Sequence, residues 1–245
     1  RSREAVTNPY VIRQELLFEK GDVVNYFKLM KSQRELYLTG LFKSVFIRPR
    51  PTPDSVAGKK DILIEVDETL PHEFGVTVGY GSVDKLRGKV EILTNNFMGT
   101  ARKLGLTASA SFIKRRVEAS FTEPYTFATK FKTDANIFFD YLEEPGFTVR
   151  KYGGALTVGR SIGYNTDISL TYRIENARLF HIETTDLPED FDPRTRSLKL
   201  SFVNDSRDNL FNPTKGFYQE YSQEIAGAFP QGNSAFTRFI ARLKG

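Results

Sequence analysis

Asp205-Ser206-Arg207-Asp208-Asn209 groups several side-chain oxygen donors, Asp205, Asp208 and Asn209 among them. Carboxylate and amide oxygens bind hard cations such as calcium, so this segment is the first candidate for a metal. Its spacing is not that of a calcium loop, and the Phe211-Asn212-Pro213-Thr214-Lys215-Gly216 that follows is turn chemistry. Residues 204–216 therefore read as a structural turn. Glu143-Glu144 offers a carboxylate pair, the residue type of acid–base catalysis. Adjacent residues in a turn point apart, and Pro145-Gly146 follows at once, so a hairpin loop is the simpler reading. Gly79-Tyr80-Gly81 lacks the third glycine and the following helix of a dinucleotide fingerprint. Cysteine is absent, which removes disulfides, thiolate nucleophiles and thiolate metal sites together. His72 and His181, the two histidines, stand far apart and leave little for zinc or histidine base chemistry. The expectation is a protein that is not an enzyme and uses no cofactor or metal.

The chain of 245 residues is 40% hydrophobic and 27% charged, which excludes a wholly disordered polymer and a helical membrane bundle. No stretch approaches the roughly 18 consecutive apolar residues of a spanning helix, and the mean hydropathy is −0.38. A transmembrane β-barrel stays open, because its strands alternate lipid-facing and lumen-facing residues and average out as soluble. Aromatics supply 13%, with Phe 21 and Tyr 11, and strands favour such residues. Lys and Arg number 35 against 30 Asp and Glu, and the net +5 is too dispersed to point to nucleic acid. The chain opens at Arg1 without an initiator Met or an apolar signal region. A mature or truncated product would look the same, so a cytoplasmic location does not follow.

The elements that would hold these residues fall into two regions. Residues 1–70 read as a small α+β module. Asn8-Pro9 is an N-cap followed by proline at the first helical position, Ile12 and Leu16 share a face, and Gly21 is expected to stop that helix. A second helix is expected from Asn25 to Thr39, with Phe27, Leu29, Met30, Leu36 and Leu38 apolar, Gly40 as its stop and Leu41-Phe42 tucked beneath. Strands follow at 44–48 and 61–67, and Pro49, Pro51, Pro53 and Gly58 read as a long exposed turn between them.

From residue 71 to 245 the pattern has period two. Phe74, Val76, Val78 and Tyr80 alternate with Gly75, Thr77, Gly79 and Gly81; Ile168, Leu170, Tyr172 and Ile174 alternate with Ser169, Thr171, Arg173 and Glu175. In 131–141 the alternation holds except at Phe138, which breaks the polar face. About ten strands can be counted, several as long as the 9–11 residues or so that a tilted membrane-spanning strand requires. A soluble sandwich, whose strands average about five or six residues, is the weaker reading. The basic pair Arg115-Arg116 reads as a hairpin turn, with contact to charged lipid headgroups as the other reading.

Several segments carry a family resemblance. Val11-Ile12-Arg13-Gln14-Glu15-Leu16, Gly21-Asp22, Arg34-Glu35-Leu36-Tyr37, Gly40-Leu41-Phe42, Val45 and Val66-Asp67-Glu68 resemble a POTRA domain, a periplasmic polypeptide-transport module ordered strand, helix, helix, strand, strand. Asn95-Asn96-Phe97-Met98-Gly99-Thr100-Ala101-Arg102, Thr122-Glu123-Pro124-Tyr125 and the 205–216 turn with Asp205, Arg207, Asp208, Pro213 and Gly216 are similar to barrel motifs of the BamA/TamA superfamily of outer-membrane insertases. The resemblance implies a mainly β protein: a transmembrane antiparallel β-barrel preceded by a POTRA domain lacking its first strand. The family's barrel has about sixteen strands, within the range of outer-membrane barrels. Its V/I-R-G-[FY] motif would lie after Gly245, so the chain is expected to be an internal piece of a longer protein.

The resemblance further implies assembly and insertion of barrel proteins into the outer membrane, with the N-terminal domain in the periplasm. Its partners would be unfolded outer-membrane clients, accessory lipoproteins or periplasmic chaperones, and lipid. Glycine weakens a strand interior, so residues 74–81 are the candidate for one side of a lateral gate. The other reading of Gly75, Gly79 and Gly81 is that they make room or adjust curvature. The alternatives in function are a two-partner secretion transporter, which passes an extended polypeptide through its lumen, and a passive porin or ligand-binding barrel.

Overall fold

The structure, a computed structural model, describes residues 6–51, 59–182, 192–209, 212–227 and 232–244. Helix α1 spans Pro9–Glu15, and the Asn8 side chain accepts the N–H of Tyr10 at its start. It ends one turn earlier than Gly21 suggested, because Leu16 already turns extended at φ −76° and ψ 135°. Gly21 belongs instead to the turn in which Asp22 N–H donates to Glu19 O at 3.2 Å. Helix α2, Tyr26–Leu38, is capped by Asn25, whose Oδ1 accepts from Phe27 and Lys28.

Leu29 and Leu36 of α2 are buried with Val11, Leu41, Phe42 and Val45, and they form the core of this region. Ser32 is also fully buried, and its hydroxyl accepts the Leu17 N–H at 2.8 Å, so the polar atom is not stranded. Phe27 and Met30, each 72% exposed, and Leu38 lie on the opposite face of the helix. The apolar residues of α2 thus divide between a core face and an open face.

Strands β1, Phe42–Pro51, and β2, Lys60–Glu68, form a two-stranded antiparallel sheet. Pro49 and Pro51 were expected in the turn, but they continue β1 and stand opposite Ile62 and Lys60. In a two-stranded ribbon every strand has a free side, and a proline whose missing N–H faces outward breaks no ladder. Pro53 and Gly58 lie outside the described residues.

The remaining strands are β3 (His72–Gly81), β4 (Lys85–Phe97), β5 (Arg102–Ser111), β6 (Lys114–Thr126), β7 (Phe131–Glu144), β8 (Phe147–Ile162), β9 (Thr166–Phe180), β10 (Arg194–Asp205), β11 (Tyr218–Ala226) and β12 (Phe236–Lys244). They form one ten-stranded sheet in which each strand pairs with its neighbours in sequence, with β3 and β12 at the two ends. The register places Ala135, Leu156, Tyr172, Leu198 and Ile225 in one row across β7 to β11. One residue along, Asp134, Thr157, Thr171, Lys199, Glu224 and Arg238 form the next row. Successive side chains of a strand point to opposite faces, so from β7 to β12 these rows give the sheet one apolar and one charged or hydroxylated face.

By packing, the chain divides into two compact units. One holds the residues up to Glu73 together with Thr94–Lys103, and the other holds Phe74–Leu93 and everything from Leu104 onward. The β4–β5 turn therefore belongs to the N-terminal unit.

Candidate functional site

Strand β3 is the end of the sheet, and its two faces are unequal. Phe74, Val76, Val78 and Tyr80 project from the apolar face and are largely exposed, Phe74 at 71% and Tyr80 at 74%. On the polar face Gly75, Gly79 and Gly81 carry no side chain, and long groups of β4 lie against two of them. A Cβ placed on Gly79 would stand 2.9 Å from Arg87 Nε, and one on Gly75 would stand 3.8 Å from Glu91 Cβ. Among polar-face residues 75–81, Thr77 alone offers β3 a side chain. Cross-strand side-chain pairs supply much of a ladder's stability, so on its polar face residues 75–81 gain little beyond backbone hydrogen bonds, while at the start of the strand His72 and Glu73 pair with Thr94 and Asn95 of β4.

The Asn95–Arg102 motif is a self-contained turn. Asn96 Oδ1 accepts the Ala101 N–H at 2.8 Å, and Thr100 Oγ1 donates to Phe97 O at 2.7 Å. The turn also grips residues 6–8. Asn96 Nδ2 donates to Thr7 Oγ1 at 2.8 Å, and Asn8 N–H donates to Gly99 O at 2.8 Å. Gly99 has φ +70°, and a Cβ there would stand 2.0 Å from Val6 O. From the other side Glu68 completes a clasp, accepting Thr7 N–H at 2.8 Å and Val6 N–H at 3.1 Å. Partial burial opposes the charge on Glu68, yet the hydrogen bonds from Thr7 and Val6 outweigh it and hold its carboxyl below the usual value. The sequence marked Asn96, Phe97 and Gly99 as a turn. Glu68 as a clasp had no signal, because its partners are backbone groups.

Glu123-Pro124-Tyr125 sits at the end of β6, where the pairing with β7 shifts register between Glu123 and Thr126. Tyr125 is buried, and its N–H donates to Glu123 Oε1 at 3.2 Å. At the 205–216 turn the candidate ligand oxygens are already engaged. Asp205 takes a bidentate contact from Arg207, 2.8 Å from Nε and 2.7 Å from Nη2. Asp208 accepts the hydroxyl of Thr214 at 2.6 Å and the N–H groups of Thr214 and Lys215 at 2.9 and 3.1 Å. Asn209 Oδ1 accepts the Asn212 N–H at 3.2 Å. Gly216 packs against Ser206 O, which a Cβ would approach to 2.1 Å. Pro213 directly precedes Thr214 and Lys215, the partners of Asp208, and Phe211 is outside the described residues. The segment is a turn tied by its own carboxylates. Among the described residues no three His, Asp or Glu come together as a metal site.

The Thr214 and Lys215 contacts lower the Asp208 pKa to about 2. A carboxyl depressed in the folded state stabilises above its unfolded pKa, and that contribution is lost as pH falls through the folded value. Protease resistance of the 205–216 turn should therefore be flat from neutral pH to about pH 4 and fall between about pH 4 and pH 2. Asp208→Asn should lower the resistance at neutral pH and flatten the profile. A wild-type profile that declines already near pH 6 would contradict this assignment.

Arg115 and Arg116 were expected in a turn, but β6 begins at Lys114 and carries both. The β5–β6 connection needs only Phe112 and Ile113, so the two arginines point to opposite faces. Arg116 faces inward, 2.6 Å from Glu118 and 2.5 Å from Asp140, with Asn136 donating to Glu118 at 3.2 Å. Its guanidinium lies 5.1 Å from the Phe138 ring centroid. That contact explains the aromatic residue on the polar face, since a ring face is a favourable seat for a guanidinium. Glu143-Glu144 was expected in the hairpin loop, but both are the last residues of β7, paired with Thr148 and Phe147, and Pro145-Gly146 alone make the turn. Glu143 N–H donates to Ile113 O at 2.8 Å.

Comparison with known proteins agrees with these motifs. BamA, the outer membrane protein assembly factor of Neorickettsia risticii (strain Illinois), is 25% identical over 230 residues, which is 90% of this chain and 30% of that protein. Among solved structures, BamA from Haemophilus ducreyi lacking POTRA domains 1–3 superposes with a TM-score of 0.77 at 21% identity, covering 96% of this chain and 49% of that one. CdiB from Acinetobacter baumannii gives 0.59 at 16% identity over 97% of this chain and 46% of that one. The chain spans under a third of the curated relative and about half of the solved chains. The profile of the Omp85 superfamily domain matches residues 96–245, from the Asn96 turn to the end of the sheet. With its two-faced sheet of long strands and a POTRA-like region ahead of it, the chain belongs to the Omp85 superfamily of outer-membrane β-barrel proteins.

Proposed function

We propose that this chain contributes to assembly and insertion of β-barrel proteins into the outer membrane. Residues 1–70 act as a periplasmic POTRA domain that receives unfolded clients, and residues 71–245 supply the first strands of the barrel. Strand β3, residues 74–81, forms one side of a lateral gate. The observation that carries the reading is the end position of β3 with a glycine-rich polar face over residues 75–81, where few side chains add to backbone bonds that another strand can replace. Such exchange is strand addition at a sheet edge, in which main-chain hydrogen bonds supply the affinity. Accessory lipoproteins and periplasmic chaperones are the partners such a route requires.

The test is client folding with the purified full-length protein in phospholipid vesicles. An unfolded outer-membrane barrel protein should reach its heat-modifiable folded form faster in these vesicles than in empty ones. Equal rates would overturn the reading. Vesicles that pass a polypeptide to their interior without inserting it would point to the secretion alternative.

A further inference from the structure

Arg115, Tyr141, Arg150 and Arg178 stand directly opposite one another in four adjacent strands, β6 to β9. They share the apolar face with Val117, Phe139, Leu156 and Ile174, so three guanidinium groups emerge on the lipid side. Strands lie about 4.8 Å apart, and the row is therefore about 15 Å wide. The cations are drawn down onto aromatic rings. Arg115 lies 5.4 Å from the Tyr141 centroid, while Arg150 and Arg178 lie 4.6 and 5.2 Å from the same Phe180 ring. Two like charges on one ring repel unless an anion sits with them. Asp192 lies 3.9 Å from Arg178, whose side chain is still 63% exposed. Among the described residues Arg115 and Arg150 have no ion pair.

The level of the row in the membrane follows from the strands. Strand β3 leaves the periplasmic N-terminal region at His72, so the β4–β5 turn is periplasmic and the β7–β8 hairpin lies at the outer end. On β8 the next outward arginine is Arg160, 5.3 Å from the Phe131 ring at the other end of the strand. From Arg150 to Arg160 is about 33 Å along the strand, or about 25 Å of height at a tilt of about 40°, the height of a barrel's apolar band. Tyr152, Leu156 and Val158 fill the interval. The arginine row thus stands at the outer boundary of the hydrocarbon, where headgroup phosphates lie.

We infer that Arg115, Arg150 and Arg178 form a binding site for the phosphate-bearing headgroup of an anionic lipid in the outer leaflet, whose acyl chains lie along the apolar band below. Planar guanidinium forks match phosphate oxygens in pairs, and the low polarity of the neighbouring band strengthens the attraction. The inference rests on the membrane orientation and not on the insertase reading.

The experiment is native mass spectrometry of the full-length protein released from mixed micelles of phosphatidylcholine and phosphatidic acid. Wild type should retain phosphatidic acid in preference to phosphatidylcholine. Each arginine at a charged surface is worth about fivefold, so R115Q/R150Q/R178Q together should cut that preference about a hundredfold, while R160Q at the opposite rim leaves it unchanged. The heat-modifiable mobility of each variant reports whether it has assembled. If the triple variant fails to assemble, Arg150→Gln alone should lower the preference about fivefold. No preference in wild type, or an undiminished one in assembled variants, would overturn the site. Inorganic phosphate displacing the lipid at equal concentration would also overturn it, marking a general anion site rather than a lipid headgroup site.

Discussion

Locking β3 to the strand that closes the full-length barrel, through Thr77→Cys and a cysteine opposite it, should bring client insertion down to the rate of empty vesicles. Reductant should restore it. The expected size of the effect comes from the backbone. Strand β3 has 10 residues, and a lone N–H or C=O in hydrocarbon costs several kcal/mol, so an edge with about half its groups unpaired would cost tens of kcal/mol. On the proposed reading the edge is never bare, and clients would reach it only by exchange with its current partner. A covalent lock stops that exchange without removing a hydrogen bond. Side-chain pairs add about 0.2–1 kcal/mol each to a ladder, and Gly75, Gly79 and Gly81 forgo them on the polar face, which is the basis for proposing that β3 exchanges. Insertion at the unlocked rate by a fully crosslinked protein would defeat the gate assignment and leave the glycines as space-makers for Arg87 and Glu91.

The second large effect is expected at Gly99. Gly99 and Gly40 have nearly the same φ, +70° and +73°, but a Cβ on Gly40 meets nothing within 4 Å while one on Gly99 meets Val6 O at 2.0 Å. Gly40→Ala should therefore lower stability by about 1–2 kcal/mol, the cost of a left-handed conformation for a residue with a Cβ. Gly99→Ala bears the same cost and must also expel residues 6–8 from the clasp. That forfeits the Asn8 and Thr7 hydrogen bonds, worth about 1 kcal/mol each, so a total of about 3–4 kcal/mol is expected. Denaturant unfolding of the two variants of the full-length protein, with proteolysis near residue 8 as a local probe, measures the difference. Equal losses at the two positions would mean that the clasp contributes nothing.

All ten strands of the large sheet were legible from alternation, because one face meets hydrocarbon and the other does not. Their ends were not. Lys114, Arg115 and Glu143 are polar residues at the rim, where the contrast between faces fades, and so the arginine pair looked like a turn. Pro49 and Pro51 misled for a related reason. Proline signals a turn wherever its lost N–H matters, and on the free side of a two-stranded ribbon it does not. Gly21 was given a helix stop that Leu16 performs, since a helix can end by adopting an extended residue without any marked side chain. The clasp and the arginine row were illegible in principle. The clasp joins Glu68 and Asn96 to residues 6–8 largely through main-chain groups, and the row exists only once four strands have a fixed register. Phe138 stood out in the sequence as an exception, and its cause, Arg116, became visible only with β6 paired to β7.

The order of the large sheet, in which every strand pairs only with its sequence neighbours, also governs how the protein forms. Each ladder closes a short loop, and loop-closure entropy rises only slowly with length, so the sheet can grow one hairpin at a time. At every stage the most recently added strand is the growing edge, and β3 remains the other end throughout. The clasp of residues 6–8 with the Asn96 turn is a closure of another kind, reaching across the whole N-terminal unit and β4. It is expected to form after the strands on either side of that turn have paired, which makes it the latch on a hairpin that already exists.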